Sequence, residues 1–298
     1  MMKRFFLAAA VMLLLPLLLA SGCAKRDTDN RPAISCGLPP TAYLARRICG
    51  DKFKVTSLLP EGRSPHDYSP APREIREAAG SKCFFSTGMT FERKAAEALK
   101  RSTGIVDVTV GIKRRHLEGG HQCSGDHGHD HDDLDPHVWL STVNAEKIAA
   151  NILEEVIKLD PANAAYYQKN FAALQKDLQQ AREKIRTTLA PFAGRHFFVY
   201  HPAFGYFADE AGMIQHPVEI NGRDLKPHQY SAVIAKARAE NVRVIFVQPQ
   251  FKPGQAEKLA RDINGKVQAL DPLSFDLMES FKILPEAVKA GFTGGETK

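Results

Sequence analysis

Six histidines lie among acidic residues in one stretch of this chain, residues 116–140, HLEGGHQCSGDHGHDHDDLDPHVWL. Neutral imidazoles are ligands for transition metals, so this composition indicates metal binding. The sixth histidine, His137, lies between Pro136 and Trp139 at the start of a helical pattern, and we predict that it alone belongs to a permanent site. The others are predicted to form a histidine-rich loop over residues 116–133, either a mobile accessory metal collector or an inert solubilising loop, because Gly and Asp surround them without apolar periodicity: His116, His121, His127, His129 and His131.

Three further side chains that can bind metal each follow an apolar run that predicts a strand. His66 lies in the loop after FKVTSLL, His201 follows HFFVY, and Asp271 follows KVQAL. Ligands of parallel sheets bind beyond the carboxyl ends of strands, so we expect these three to meet His137. Three imidazoles and one carboxylate make a four-coordinate set that suits Zn²⁺. Taken singly, each histidine could be an ordinary surface or core residue, and Asp271 could cap the turn before Pro272.

The apolar runs form two sets of four, with helical patterns such as 39–49 and 91–101 between them. The first set is AISC (33–36), FKVTSLL (53–59), KCFFS (82–86) and GIVDVTV (104–110). The second is HFFVY (196–200), MIQHPV (213–218), VRVIFVQ (242–248) and KVQAL (266–270). Strands that alternate with helices predict an α/β fold with one four-stranded parallel sheet in each half.

A long helix is predicted between the two sets, over residues 160–190. Asp160 and Pro161 form a start signal, and apolar residues then repeat every three or four positions until Pro191 interrupts them. The position of this helix between the two sets of strands predicts that it is a stiff rod, which joins an N-terminal lobe (33–159) to a C-terminal lobe (191–298). The alternative is a surface helix of a single domain.

The N-terminus resembles an export signal, with Lys3 and Arg4 ahead of the apolar run 5–20. The sequence LASGC that follows resembles the bacterial lipoprotein cleavage box, so we predict a signal peptide over 1–22, lipidation of Cys23 and a tether over 23–32. An ordinary cut near Ala24 is the alternative. The predicted location is the outer, periplasmic or extracellular, face of a bacterial cytoplasmic membrane.

The charge argues against nucleic acid as a partner. The formal net charge is +6, and loss of Lys3 and Arg4 with the signal would leave +4, that is, 6 minus 2. These charges are spread along the chain, without a basic block or interleaved aromatic residues.

Four cysteines remain after Cys23, and in an exported protein an even number suggests disulfides. A Cys36–Cys49 bond is disfavoured, because a helix of about 16 Å separates the two positions. Strand direction instead predicts Cys49–Cys83 and Cys36–Cys123. Free thiols, or Cys123 as a soft zinc ligand, are the alternatives.

Four motifs, PEGRSPHDY, DPHVWL, HPAFGYFADEAGM and ALDPLS, carry a resemblance to a known family. From about residue 33 to 288 the chain resembles the metal-binding solute receptors of ABC importers that carry Zn²⁺ or Mn²⁺, in particular the zinc branch. The resemblance implies two α/β lobes joined by one long helix, with metal in the cleft. It places His66, His137, His201 and Asp271 at the ligand positions, although water could replace Asp271. Manganese members usually carry Glu at the third position, so His201 favours zinc.

The resemblance also implies partners, namely a permease and its ATPase, and a monomeric receptor that is not an enzyme. A manganese receptor and a metal-binding surface adhesin of the same fold are the alternatives. A metallo-hydrolase is disfavoured, because the spacing H-x-H-x-D-H is absent and four protein ligands leave no open position for water. Three departures from the family pattern leave affinity open: Gln248 where relatives often have Glu, WLST, and GRDLKPHQ.

Overall fold

The computed structural model of the protein describes residues 29–118, 134–220, 223–252 and 254–294. Arg31–Lys298 forms one compact unit. The predicted signal peptide, Cys23 and most of the predicted tether lie outside the described residues. Within the described ranges, no helix has both the length and the apolar character needed to cross a membrane.

The first half forms a four-stranded parallel sheet, as the sequence predicts. In chain order its elements are β1 (Ala33–Cys36), α1 (Pro39–Cys49), β2 (Lys54–Ser57), α2 (Pro72–Ala79), β3 (Cys83–Ser86), α3 (Thr90–Leu99) and β4 (Gly104–Asp107). The strand order is β2-β1-β3-β4. The central strand β3 is buried throughout, whereas the edge strand β4 is largely exposed. The carboxyl ends of all four strands therefore lie at one edge of this sheet.

Two helices pack against each other between the sheets, α4 (Thr142–Leu159) and α5 (Ala164–Leu189). The predicted linking helix starts later than expected, because Pro161–Asn163 forms a 3₁₀ turn before α5. Asp160 stabilises this turn by accepting hydrogen bonds from Tyr167 Oη (2.6 Å) and Asn163 Nδ2 (2.7 Å). Helix α5 also packs on α1, so it is a central element of the molecule rather than a surface helix.

The second half repeats the architecture of the first. Its elements are β5 (His196–Val199), α6 (Gly205–Ala211), β6 (Ile214–Pro217), β7 (Glu219–Ile220), β8 (Arg223–Asp224), α7 (Pro227–Ala239), β9 (Val244–Val247), α8 (Gly254–Asp262), β10 (Lys266–Ala269) and α9 (Leu277–Thr293). The parallel strand order is β10-β9-β5-β6. The two-residue strands β7 and β8 pair antiparallel and were not predicted. Helix α9 returns to pack on α5, which joins the second half to the first.

One continuous hydrophobic core includes side chains of both sheets and of the helices between them. It contains Phe84 of β3, Leu178 of α5 and Phe197 of β5, and a smaller cluster covers the other face of the second sheet. The two lobes are thus joined by shared apolar packing as well as by the chain.

The predicted Cys49–Cys83 disulfide is wrong, because both residues are free thiols in the structure. Cys36 is also a free thiol, which contradicts the predicted Cys36–Cys123 bond, although Cys123 itself lies outside the described residues. All three described thiols belong to the apolar core, where cysteine packs as a small hydrophobic residue. Burial raises the pKa of Cys49 to about 12, so the unreactive thiol form persists.

Candidate metal site

Three histidines from distant parts of the chain meet between the lobes: His66, His137 and His201. One ring nitrogen of each lies within 4.8 Å of those of the other two. The ring centroids are 4.5 Å apart for His66 and His201, 5.2 Å for His137 and His201, and 5.6 Å for His66 and His137. Nitrogens bound to tetrahedral Zn²⁺ are about 3.4 Å apart, so small ring movements are enough to reach that geometry.

His137 is buried and fixed by its own chain segment. It lies immediately before the 3₁₀ turn Val138–Leu140, which leads into α4. The Asp135 carboxylate oxygen Oδ1 accepts a hydrogen bond from the His137 backbone N–H (2.9 Å) and lies 2.8 Å from the ring atom Nδ1. The pairing of Nδ1 with a carboxylate leaves Nε2 as the metal-binding atom, an arrangement common among metal-binding histidines.

Residues after His137 connect this segment to the second lobe. The buried Trp139 donates a hydrogen bond from Nε1 to the Pro272 carbonyl oxygen at 2.7 Å. Glu210 of α6 accepts from Ser141 Oγ (2.7 Å) and the Thr142 backbone N–H (2.8 Å) at the start of α4. His137 therefore follows the fourth strand in sequence but is held in place by contacts with the second lobe.

His201 follows β5 and has the same kind of support. Its Nδ1 lies 2.7 Å from Oε1 of the buried Glu219 in β7. Gln248 holds the His201 backbone from both sides, since its Oε1 accepts from the His201 N–H (3.1 Å) and its Nε2 donates to the His201 carbonyl (2.7 Å). A glutamate could not make the second bond, which gives the departure at position 248 a physical reason. The His201 Nε2 atom is buried without a hydrogen-bond partner in the structure, as expected of an atom available to a metal.

His66 differs from the other two because it lies on the exposed loop between β2 and α2. Tyr68 anchors this loop through a hydrogen bond from its Oη to the Leu58 carbonyl (3.0 Å) and through an edge contact with Phe91. Although the residue as a whole is exposed, its ring packs against the other two histidine rings.

The surroundings of His66 and His201 favour neutral imidazoles, the form that binds metal. The pKa of His66 is lowered, first because packing against the other rings removes part of its solvation and then because His201 and His137 would repel its positive charge. The pKa of His201 is also lowered, chiefly by burial, with the Glu219 hydrogen bond acting in the opposite direction. The buried carboxylate of Glu219 adds negative charge beside the site, which favours a cation.

Asp271, the fourth predicted ligand, is not part of the three-histidine group. Its Oδ1 accepts hydrogen bonds from Gln250 Nε2 (2.7 Å) and from the Leu273 backbone N–H (2.9 Å). The second bond caps the turn at Pro272, which is the alternative role considered from the sequence. A ligand role for Asp271 stays a prediction.

Of the accessory histidines, the structure describes His116 alone. It is exposed and pairs as an isolated antiparallel bridge with Leu134, so the two positions that flank residues 117–133 meet. The other four lie outside the described residues: His121, His127, His129 and His131.

Two supporting residues, Asp135 and Glu219, were not predicted as part of the site, whereas Gln248 stood out in the sequence as a departure from the family pattern, without its two bonds to His201. Asp135 lies two positions before His137, so the local sequence DPH carried a usable signal. Glu219 lies 18 positions after His201, in a short strand without a pattern of its own.

Comparisons with known proteins agree with this geometry. The model of the family described as zinc-uptake complex component A, periplasmic, matches residues 34–281. The high-affinity zinc uptake system protein ZnuA of Bacillus subtilis (strain 168) is 33% identical over 265 residues, covering 85% of this chain and 81% of that protein. The manganese ABC transporter substrate-binding lipoprotein PsaA of Streptococcus pneumoniae is 25% identical over 272 residues, covering 87% and 85%.

Solved structures of proteins from the same family have a similar fold. One described as the crystal structure of ZnuA has a TM-score of 0.80 at 28% identity, and the match covers 88% of this chain and 99% of that one. Since the family model spans most of the chain and the relatives match along most of their own length, this chain belongs to the family of periplasmic zinc-uptake component A proteins.

Proposed function

We propose that the protein is a high-affinity zinc receptor that captures Zn²⁺ outside the cytoplasmic membrane and delivers it to the permease and ATPase of an ABC importer. The observation that carries the proposal is the group formed by His66, His137 and His201, in which two rings are oriented by buried carboxylates. Members of this family are substrate-binding components of metal importers, and the protein is not an enzyme.

In this proposal the three imidazoles bind Zn²⁺, and Asp271 or a water molecule completes the coordination. His137 and His201 are buried and already oriented, so they form the preformed part of the site. His66 completes the site from its exposed loop. Because two of the three ligands need little reorganisation, most of the binding energy is available as affinity.

The remaining predictions fit the same receptor. Lipidation of Cys23 would anchor a monomeric protein to the membrane by the tether 23–32, and the accessory histidines would collect zinc near the site. The division into an N-terminal lobe (33–159), a linking helix (160–190) and a C-terminal lobe (191–298) is also part of the proposal.

Manganese is the second candidate, because one relative is named a manganese ABC transporter substrate-binding lipoprotein. Mn²⁺ prefers oxygen ligands, whereas the described group offers three imidazole nitrogens, so the donor set favours zinc. The surface-adhesin alternative has no comparable support in the site.

The test is competitive titration of the mature protein with Zn²⁺ and Mn²⁺ against a chromophoric chelator. Variants His66→Ala, His137→Ala and His201→Ala should each weaken zinc binding by at least about tenfold to a hundredfold, and Asp271→Ala should have a smaller effect. His228→Ala is the matched control, because His228 is exposed on α7 outside the group. Preference for Mn²⁺, or unchanged affinity in all three variants, would overturn the proposal. Zinc-independent binding to host matrix proteins would support the adhesin alternative instead.

A further inference from the structure

One arginine connects the ligand segment of His137 to the second lobe and to the start of the histidine-rich stretch. The Arg115 guanidinium pairs with three carboxylates: Glu118 (2.5 Å from Nη2), Asp135 (3.3 Å from Nη1) and Asp209 (2.9 Å from Nε). Asp135 is the carboxylate that orients His137, and Asp209 lies on α6. The side chain of Arg115 is only 18% exposed and that of Asp135 is fully buried, so their pair is shielded from water, whereas Asp209 is 59% exposed.

The two oxygens of Asp135 have separate roles. Oδ1 faces the backbone and ring of His137, whereas Oδ2 faces Arg115. The Asp135 side chain is fully buried, and a buried carboxylate is costly unless a positive charge or several donors compensate it. Arg115 supplies that charge from the side opposite to the ring, in a position to hold the carboxylate in its orientation toward His137.

Arg115 is itself held at both its backbone and its side chain. Its backbone N–H donates to Tyr206 Oη (3.1 Å), which in turn donates to the Asp135 carbonyl (3.0 Å). The guanidinium lies directly against Gly205, where an added Cβ would come within 1.5 Å of Nη1. A side chain at this position would therefore displace the guanidinium from its present place.

Among the residues that the structure describes, the carboxylate behind the other buried ligand, His201, has no arginine partner of this kind. Glu219 orients His201 through Oε1, but its Oε2 is buried without a hydrogen-bond partner among the described residues. In the described part of the chain, an arginine therefore pairs with the carboxylate behind His137 and none pairs with the carboxylate behind His201. Arg115 is an additional supporting residue on the His137 side of the site.

We propose, on the basis of the zinc-receptor function above, that Arg115 is a positioning residue of the metal site that acts on His137 through Asp135. By pairing with Asp135, Asp209 and Glu118 together, it also fixes the start of the histidine-rich stretch to the second lobe. Glu118 contributes a further contact there, since it accepts a hydrogen bond from Gln215 of β6. Arg115 does not touch the metal.

The experiment compares two neighbouring arginines in the full mature protein with Zn²⁺ and Co²⁺ as probes. Arg115→Gln removes the pairs described above, and we expect it to weaken zinc binding by about tenfold, the lower end of the effect of a supporting residue. Arg114→Gln is the control, because Arg114 bonds to Thr87 and Thr109 instead, and its affinity should equal that of the wild type. The d–d absorption of bound Co²⁺ should shift in Arg115→Gln and not in Arg114→Gln.

A double-mutant cycle tests the route through Asp135. In an Asp135→Asn background the effect of Arg115→Gln on zinc affinity should largely disappear, because no carboxylate remains to be oriented. Equal effects in the two backgrounds, or equal affinities of the two arginine variants, would overturn the proposal. If Arg115→Gln does not fold, Arg115→Lys keeps the charge but not the fork of donors and should show a smaller loss in the same cycle.

The same titrations separate this inference from the proposed function. If the wild type has no tight zinc site, the proposed function fails. If the wild type binds zinc and His137→Ala abolishes binding while Arg115→Gln leaves affinity and the Co²⁺ spectrum unchanged, the role of Arg115 alone fails.

Discussion

Replacing Glu219 with glutamine should weaken zinc binding by about tenfold to a hundredfold while leaving the fold intact. Glu219 Oε1 lies 2.7 Å from Nδ1 of His201, and its side chain is only 1% exposed. Glutamine has nearly the same shape and can still accept a hydrogen bond from the ring. It lacks the negative charge that makes the imidazole a better electron donor to a cation, so metal affinity should fall more than stability.

The magnitude depends on how many contacts lose their charged acceptor. Because Oε2 has no hydrogen-bond partner in the described structure, the change affects mainly the bond to His201. A hydrogen bond to a charged group contributes about 1.5–3 kcal/mol and a neutral one about 0.5–1.5 kcal/mol, and the difference agrees best with the lower part of the 1.4–2.7 kcal/mol that a tenfold to hundredfold loss represents. The rise in unfolding temperature on adding excess zinc should therefore be about 3–10 °C smaller than in the wild type.

The assay is chelator competition for affinity, together with thermal unfolding with and without zinc. Glu92→Gln is the matched control, since Glu92 is equally buried but accepts hydrogen bonds from the Thr87 (2.9 Å) and Met89 (2.8 Å) backbone N–H groups. That variant should lose stability and keep its zinc affinity. If Glu219→Gln binds zinc as tightly as the wild type while His201→Ala does not, the carboxylate has no influence on the ligand and the reasoning is refuted.

Three further predictions concern pH, the histidine-rich stretch and the contact between lobes. Burial lowers the pKa of His216 to about 4, whereas histidine in the unfolded chain titrates near 6.5. Because the unfolded chain takes up the proton first, the free energy of unfolding should decrease as pH falls from about 6.5 toward 4. Urea midpoints measured across this range should show the decrease, and the midpoint of His216→Gln should depend less on pH. Deleting residues 119–132 should leave one tight zinc site and lower the total zinc bound per protein in metal analysis, whereas loss of the tight site would contradict the separation of His137 from the other histidines. Trp139→Phe should reduce the free energy of unfolding by about 1–3 kcal/mol, because the Pro272 carbonyl loses its buried donor, and an unchanged urea midpoint would count against that contact.

The sequence was sufficient for the architecture and for three members of the candidate site. The eight main strands were predictable because each is a short apolar run between turn residues, and a ligand candidate after a strand end is a local pattern. His66, His137 and His201 could therefore be proposed together before their distances were known.

Contacts between distant segments were not predictable in the same way. Glu219 and Arg115 act through partners that only the folded chain brings near, and neither lies in a periodic pattern. The disulfide prediction failed because it relied on compartment and strand direction, whereas Cys49 and Cys83 are accommodated as apolar core residues.

The continuous core that includes Phe84, Leu178 and Phe197 has a consequence for how the protein unfolds. Neither sheet can separate from α5 without exposing apolar surface that the other half also covers. Heating should therefore give one calorimetric transition whose van't Hoff and calorimetric enthalpies agree, rather than two transitions, one for each lobe. Expressed alone, residues 33–159 or 191–298 would present an uncovered apolar face and aggregate, so the lobes are separate in architecture but not in folding.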